Sequence, residues 1–164
     1  LYGQVYGIET RITRGFSFVG PQMLLDGHLA IGNFVRDVFE QGTVIVKGDG
    51  LDRRSYLYAA DLAVWLWTIF VEGASEQPYD VGSPEVVSLI DLATKVATLA
   101  SEVLSKPIDV KVLGAEIQSL SPKSYLADIT QAQVSLGLDA WIRLDEAILR
   151  TLRFEVKRSQ KACA

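Results

Sequence analysis

The sequence contains one cysteine, Cys163, and one histidine, His28, among its 164 residues. A single cysteine excludes a disulfide framework or a cysteine zinc site built within one chain. Nucleophilic catalysis needs a base placed beside the serine or cysteine, and His28 is the only imidazole available for that role. HExxH and CxxC patterns are absent, so no metal site is predicted. This cysteine usage is typical of a reducing compartment, and we expect the cytoplasm.

A long hydrophobic run is also lacking. The longest apolar stretch, residues 62–70, is interrupted only by Thr68 and is far shorter than the roughly 18 residues needed to span a bilayer. The amino-terminal residues do not show the basic, apolar and small-residue pattern of a secretory signal. We expect no membrane partner, and we interpret residues 62–70 as a helix buried on more than one side, which requires protein on several faces.

Charge of one sign does not dominate, because 16 Lys and Arg residues oppose 20 Asp and Glu residues, for a net charge of -4. This balance disfavours nucleic acid as the main partner. Apolar residues make up 49% of the chain, which is too much for a disordered protein. Internal repeats and biased linkers are absent, so residues 1–164 are predicted to form one structural unit.

Strand and helix patterns alternate along the sequence, which predicts an α/β fold. Predicted strands or extended segments cover residues 8–13, 43–46, 54–58, 79–81 and 108–112. Predicted helices cover residues 29–41, 62–70, 88–106, 129–136 and 144–156, and residues 157–164 are predicted to be a frayed polar tail.

Capping signals define several helix ends. Asp61 is predicted to be the N-cap of the apolar helix, and Asp128 to cap the short one. Ser88 and Asp91 have the spacing of a capping box. At the carboxyl ends, we expect Gly42 and Gly137 to stop their helices, and Pro107 to stop the helix that opens at Ser88.

The turn at residues 48–50, Gly-Asp-Gly, superficially resembles a dinucleotide-binding fingerprint. The fingerprint needs a third glycine and a following helix, but Arg53 stands at the third position and an extended segment follows. Beside the turn, Arg53 and Arg54 could clamp phosphate oxygens or form surface ion pairs with Asp49 or Asp52. Position alone favours neither interpretation.

Other side chains with binding chemistry have simpler explanations. A polar loop contact is favoured for His28 over a substrate contact. For four aromatic residues, core packing is favoured over stacking on a base or sugar. These residues are Tyr56, Tyr58, Trp65 and Trp67.

Four segments, taken in order, resemble the second half of the extended short-chain dehydrogenase/reductase family of NAD-dependent nucleotide-sugar epimerases and dehydratases. Tyr6-Gly7-Ile8 with residues 14–21, RGFSFVGP, resembles "YG…R-x-x-N-x-Y-G-P", with Ser17 replacing asparagine and Val19 replacing tyrosine. Residues 48–63, GDGLDRRSYLYAADLA, resemble "GDG…R-[DS]-[FY]-[IL]-Y-V-x-D-L-A", which is the most specific match. Residues 79–83, YDVGS, resemble "YNVGS" with aspartate for asparagine. The later "Y-x-x-D…LG" signature fits Tyr125, Asp128, Leu136 and Gly137.

The resemblance implies a partial Rossmann-type sheet edge joined to the small mixed α/β substrate-binding domain. Family members bind NAD on an amino-terminal Rossmann domain through GxxGxxG and act through a YxxxK pair. Neither motif is present, and Tyr2 and Tyr6 have no lysine four positions on. The resemblance therefore assigns residues 1–164 to the nucleotide-sugar-binding portion. NAD and the Rossmann half are assigned to the parent enzyme, and no catalytic or cofactor-binding residue is expected in this sequence.

Substrate-binding roles follow from matching positions alone. The resemblance assigns Arg54 to the pyrophosphate, which favours the phosphate clamp over the ion pair. It assigns Ile45 and Lys47 to the base pocket, with Lys47 at a position that is often aromatic or apolar in relatives. It places the backbone of Ala30 and Ile31 beside the nucleotide, and Ser17 near the sugar and nicotinamide. His28 stays a candidate substrate contact.

The expected function is nucleotide-sugar recognition within an enzyme that oxidises the sugar at C4 with NAD and then epimerises or dehydrates it. By itself the chain is expected to be inactive. The alternative is a non-catalytic oligomerisation or ligand-sensing module. If the apolar helix at residues 62–70 has an uncovered face, homo-oligomers are expected.

Overall fold

The computed structural model describes residues 2–114 and 122–162, so Cys163 lies outside the described residues. Strands and helices alternate, which confirms the predicted α/β class. The helices are α1 (Tyr2–Tyr6), α2 (Ala30–Gln41), α3 (Ala59–Glu72), α4 (Leu89–Leu104), α5 (Thr130–Leu136) and α6 (Leu144–Ala162). The strands are β1 (Ile12–Gly15), β2 (Phe18–Val19), β3 (Thr43–Val46), β4 (Arg53–Ser55), β5 (Leu57–Tyr58), β6 (Pro78–Val81), β7 (Val86–Ser88), β8 (Asp109–Val112) and β9 (Ser124–Tyr125).

Small sheets, mostly parallel, connect distant parts of the chain. β1 pairs with β6, β2 with β5 and β3 with β8, each in parallel. β4 lies between β7, to which it is antiparallel, and β9, to which it is parallel. Because parallel strands need long crossover connections, each parallel pair joins residues far apart in sequence.

The larger hydrophobic core forms where α2, α4 and α6 pack around β3. Its fully buried side chains include Ile31, Val35, Val38, Val44, Leu92, Val96, Ile148 and Leu152. Each such side chain contributes about 1.5–3 kcal/mol through removal from water, so this core holds the helices that flank the candidate site.

A second core lies between α3, α5 and strands β5 and β6. It contains Trp65, Ile69, Tyr79 and Val81, all at most 1% exposed. The indole N–H of Trp65 donates to the carbonyl of Asp139 at 2.8 Å, which satisfies the one polar atom of this buried ring.

Elements with clear local signals lie where predicted. α2 ends at Gly42, whose φ of 66° is the left-handed conformation that glycine adopts without strain. The Ser88 hydroxyl accepts the Asp91 N–H at 3.1 Å, which confirms the cap of α4. The helix ends at Leu104, with Ser105 in the left-handed region, before Pro107 is reached. Strands β3, β6 and β8 fall within one residue of their predicted bounds.

The bounds of the strand predicted at residues 8–13 are wrong, because β1 covers Ile12–Gly15 and is fixed by pairing with β6. Asp61 is not an N-cap. α3 begins at Ala59, and buried Asp61 lies in its first turn, where its carboxylate accepts the Ile142 N–H at 2.9 Å. Asp61 has a side chain suited to capping, but it instead binds a backbone amide 81 positions away.

The carboxy-terminal helices also differ from the prediction in part. α6 continues to Ala162, so the frayed tail predicted from residue 157 is wrong over residues 157–162. Glu155 and Arg158 form an ion pair of 2.7 Å one turn apart, which supports the added turns.

Before α5, Asp128 accepts the Thr130 N–H at 3.1 Å, and hydrogen bonds from the Thr130 side chain and backbone lower the pKa of Asp128. Gly137 ends α5 with a φ of 63°.

α3 is buried along one stripe only, which corrects the prediction of burial on several sides. Its buried residues are Asp61, Trp65 and Ile69. Trp67 is 69% exposed, so its predicted core position is wrong, whereas Tyr56, Tyr58 and Trp65 are buried as predicted. Within the two described ranges, no helix combines the length and apolarity needed to cross a membrane.

Candidate functional site

Arg54 occupies the central strand of the three-stranded sheet, opposite Val87 on one side and Tyr125 on the other. Its Nη1 donates to the carbonyls of Arg53 at 2.8 Å and Lys123 at 3.1 Å. Its Nη2 donates to the Asp52 carboxylate at 3.2 Å. These contacts fix the guanidinium in one orientation while its side chain stays 25% exposed.

Arg54 lines a cavity of about 720 Å³, a size typical of small-molecule sites. The structure brings three of the predicted binding residues, Arg54, Ser17 and His28, into this one cavity. Ser17 is buried and His28 is exposed. The ion pair with Asp52 and the position in the cavity wall occur together, so neither interpretation of Arg54 excludes the other. The binding roles of the three residues stay predictions.

Other residues of this cavity were not predicted from the sequence. The rings of Phe16 and Tyr125 lie 4.8 Å apart, tilted by 34°, and Lys123 adds a second cation to the wall. Tyr125 belongs to the recognised "Y-x-x-D" signature and Phe16 adjoins Ser17, so sequence signals existed for both. Lys123 has no local signal, because only the pairing of β9 with β4 brings it to Arg54.

A second cavity, of about 310 Å³, lies between α2 and β3 and contains three further predicted residues, Ala30, Ile45 and Lys47. The buried carboxylate of Asp37 accepts the Ile45 N–H at 3.2 Å and a hydrogen bond from Arg36 at 3.0 Å. Asp37 therefore fixes the strand backbone in this cavity. Lys47 is exposed at the end of β3.

Ile31 differs from the other predicted site residues because its side chain is fully buried in the larger core. Its backbone N–H is hydrogen-bonded to the hydroxyl of Tyr56. Burial raises the pKa of Tyr56 to about 12, and the Arg54 charge and the Ile31 hydrogen bond oppose that rise. The predicted approach of the Ile31 backbone to a nucleotide stays a prediction.

The Gly-Asp-Gly turn is fastened to the start of α4. Gly50 has a φ of 78°, and its carbonyl accepts the Ile90 N–H at 3.0 Å, while the Asp52 carbonyl accepts the Leu89 N–H at 3.0 Å. Strand β4 follows the turn, so no helix begins there to face a pyrophosphate. The residues of this turn do not fit a dinucleotide.

Metal ligands are not clustered in the part of the chain that the structure describes: no group of three or more His, Cys, Asp and Glu side chains there could hold an ion. Within that part, the cationic side chains of Arg54 and Lys123 are the charged groups that the larger cavity offers to a ligand.

Comparison with known proteins identifies related sequences. The model of the NAD dependent epimerase/dehydratase family matches residues 1–82, which is half of the chain. The chain is 29% identical over 147 residues to UDP-glucuronic acid decarboxylase 5 of Arabidopsis thaliana, and 25% identical over 158 residues to UDP-glucuronic acid decarboxylase 1 of Xenopus tropicalis. The alignments cover 90% and 93% of this chain but 41% and 35% of the two relatives. The chain thus spans less than half the length of either relative.

Solved structures share the fold. The UDP-glucuronic acid 4-epimerase of Bacillus cereus, in complex with UDP-glucuronic acid and NAD, matches with a TM-score of 0.75 at 19% identity over 96% of this chain and 48% of that protein. An epimerase from Methanothermobacter thermautotrophicus matches with a TM-score of 0.79 at 19% identity, covering 98% of this chain and 47% of the other. The predicted α/β class with a Rossmann-type sheet edge is confirmed.

Proposed function

Because this chain belongs to the NAD dependent epimerase/dehydratase family, we propose that it forms the nucleotide-sugar recognition part of an NAD-dependent enzyme that epimerises or dehydrates such sugars. The observation that carries the proposal is the placement of Arg54, Ser17 and His28 in the wall of one cavity. The ligand class is a nucleoside diphosphate sugar, and the solved B. cereus relative holds UDP-glucuronic acid.

Arg54 is the proposed diphosphate ligand. Three of the five guanidinium N–H donors are used by Arg53, Lys123 and Asp52, which leaves two for a phosphoryl group. A planar guanidinium already held in place loses little rotational freedom on binding, and it matches phosphate geometry better than an ammonium does. Lys123 adds positive charge in the same wall.

The sugar and the base are assigned to different cavities. Ser17, His28 and the paired rings of Phe16 and Tyr125 offer hydrogen bonds and an apolar surface of the kind that suits a pyranose. Ala30, Ile45 and Lys47 are the proposed base contacts in the smaller cavity.

Catalysis is assigned to residues outside this chain. The sequence has no YxxxK pair, and the Gly-Asp-Gly turn does not fit NAD, so we assign NAD and the catalytic groups to a separate Rossmann half of the enzyme. We also propose that the enzyme is located in the cytoplasm. Purified chain incubated with NAD and UDP-sugars should form no product, and turnover would contradict the assignment.

Titration calorimetry with UDP and UDP-glucuronic acid tests the binding role. Arg54→Ala should weaken both ligands by about 1.5–3 kcal/mol, the usual contribution of hydrogen bonds to charged groups. Arg53→Ala is the matched control, because Arg53 is exposed on the same strand and does not line the cavity. Equal affinities of wild type and Arg54→Ala would remove Arg54 from the site.

The second candidate is a non-catalytic oligomerisation or ligand-sensing module. The exposed apolar side chains of α3 favour it, since such surfaces promote self-association. Sedimentation velocity tests the oligomerisation role, which requires a concentration-dependent oligomer; a monomer at all concentrations contradicts that role.

A further inference from the structure

Asp37 places a carboxylate in the wall of the smaller cavity, where its side chain is 5% exposed. Its Oδ1 accepts a hydrogen bond from Arg36 at 3.0 Å and a long one of 3.5 Å from Gln41. Among the described residues, Oδ2 accepts the Ile45 N–H alone, at 3.2 Å. A carboxylate has about four lone-pair sites. Oδ2 therefore keeps the capacity to accept one more hydrogen bond from a ligand in the cavity.

The two cations of this cavity differ in what they offer a ligand. Each guanidinium nitrogen of Arg36 faces a protein oxygen. Nη1 contacts Asn33 at 3.1 Å and Nη2 contacts Asp37 at 3.0 Å, while Nε lies 3.6 Å from Glu40. Lys47 is exposed in the wall and has no ion-pair or hydrogen-bond partner in the part of the chain that the structure describes. Its ammonium is thus the charged donor that remains for a base.

The side-chain amide of Gln41 supplies a second acceptor. Its Nε2 points to Asp37, and no donor within residues 2–114 and 122–162 is bonded to its Oε1. Ala30 and Leu89 contribute apolar surface to the same cavity. The wall therefore offers a planar ring one carboxylate oxygen and one amide oxygen as acceptors, and one ammonium group as donor.

We propose that the smaller cavity selects guanine and that Asp37 is the residue that determines this choice. The inference rests on the proposed function and names the base of its ligand. Guanine presents two adjacent donors, N1–H and the 2-amino group, next to the acceptor O6. Asp37 and Gln41 accept hydrogen bonds from the two donors, and Lys47 donates to O6.

Other bases match these groups less well. Uracil has one N–H, which lies between two carbonyl oxygens, and the Asp37 carboxylate repels those oxygens. Cytosine and adenine each present one amino group beside a ring-nitrogen acceptor, so they use one of the two acceptors in the wall. The B. cereus relative holds UDP-glucuronic acid, so the inference implies that base choice differs between two proteins of the same fold.

Calorimetry with a series of nucleoside diphosphates tests the choice of base. GDP should bind about tenfold or more tightly than UDP, since a hydrogen bond to a charged group distinguishes them. Inosine diphosphate lacks the 2-amino group but keeps N1–H and O6, so its affinity should lie between those of GDP and UDP. Binding of UDP, CDP or ADP as tight as that of GDP would overturn the inference.

Asp37→Asn tests the residue. Asparagine keeps one acceptor oxygen and replaces the other with an N–H donor, which opposes the donors of guanine and suits a carbonyl oxygen of uracil. The ratio of GDP affinity to UDP affinity should fall by about tenfold or more, while the affinity for inorganic pyrophosphate stays the same. If Asp37 only held the backbone of β3, both diphosphates would weaken by one factor, and the selecting role would be wrong.

Glu40→Gln is the matched control. Glu40 lies on the same helix and pairs with the same Arg36, but its side chain is 63% exposed and does not line the cavity. Neutralising it should leave the ratio of GDP affinity to UDP affinity unchanged, and an equal change in both variants would overturn the inference. Should Asp37→Asn fail to fold, the diphosphate series on the wild type decides the question.

Failure of this inference and failure of the proposed function give different results. If UDP binds more tightly than GDP and Arg54→Ala weakens both, the proposed function stands and the role of Asp37 is wrong. If no nucleoside diphosphate binds, both are wrong.

Discussion

Arg54 and Asp52 form an ion pair of 3.2 Å between Nη2 and Oδ2 at the edge of the larger cavity. The other carboxylate oxygen of Asp52 accepts the Lys123 N–H at 2.8 Å. Asp52 therefore holds β4 and the segment before β9 together, and at the same time it cancels part of the positive charge that a diphosphate would meet. Asparagine removes the charge and keeps one acceptor oxygen, which can still accept the Lys123 N–H while the hydrogen bond from Arg54 is lost.

Asp52→Asn should raise the affinity for UDP by about twofold to fivefold, since two unit charges 4 Å apart in water interact by about 1 kcal/mol. The gain should shrink as salt is added. Calorimetry at low and high salt checks this, with Asp109→Asn at an exposed position of β8 as the control. Reduced affinity would mean that the positioning of Arg54 by Asp52 outweighs its charge.

Lys47→Ala should alter discrimination between bases. Lys47 lines the smaller cavity, apart from Arg54, so its removal should change the affinities for UDP, CDP and GDP by unequal factors while leaving inorganic pyrophosphate unaffected. Arg54→Ala should weaken all four ligands. Competition titrations measure both patterns, and a uniform loss on Lys47→Ala would place Lys47 with the phosphate contacts.

Tyr56 should make the fold sensitive to alkali. Its pKa is raised from 10.0 to about 12 by burial, so between these values the folded chain keeps a proton that the unfolded chain has released. The free energy of unfolding therefore keeps its full value below pH 10 and falls as the pH rises toward 12. The expected loss is on the order of 2–3 kcal/mol.

Urea unfolding of Tyr56→Phe between pH 9 and pH 11 tests this dependence. At neutral pH the variant should be about 1 kcal/mol less stable, because it lacks the hydrogen bond to Ile31. Its free energy of unfolding should fall less steeply in alkali than that of the wild type. Tyr125→Phe, at an exposed position, should behave like the wild type. Identical slopes for all three proteins would show that Tyr56 titrates normally.

Gly50→Ala should destabilise the chain by about 1–3 kcal/mol, because the added methyl group meets a positive φ and lies 2.9 Å from Cβ of Ile90. Gly48→Ala in the same turn is the control, since its Cβ would find no atom within 4 Å. Thermal unfolding compares the two, and equal Tm values would contradict the close packing of the turn on α4.

The sequence predicted elements whose ends depend on local chemistry. Gly42 stops α2 through its own backbone freedom, and Ser88 caps α4 through a hydrogen bond three residues away. The failures depend on distant partners. β1 is fixed by β6, and Asp61 is held by Ile142, so neither position can be read from its neighbours in sequence.

The residues of the candidate site also divide into those with a local sequence signal and those placed by distant partners. Motif resemblance selected Arg54 and Ser17, while His28 was a candidate only as the single histidine, and the fold brings all three into one cavity. The resemblance did not select Lys123, whose carbonyl orients Arg54 from 69 positions away, because the pairing of β9 with β4 has no local signature. The apolar run in α3 indicated a helix, but periodicity could not tell which of its faces this chain covers.

The attachment of the Gly-Asp-Gly turn to α4 bears on how quickly a ligand could be captured. The turn is hydrogen-bonded to Leu89 and Ile90, and α4 is packed along its length into the larger core, so the turn cannot shift without moving that helix. Association with the adjacent cavity should therefore proceed without a slow isomerisation, with an observed rate that rises linearly with ligand concentration and no plateau.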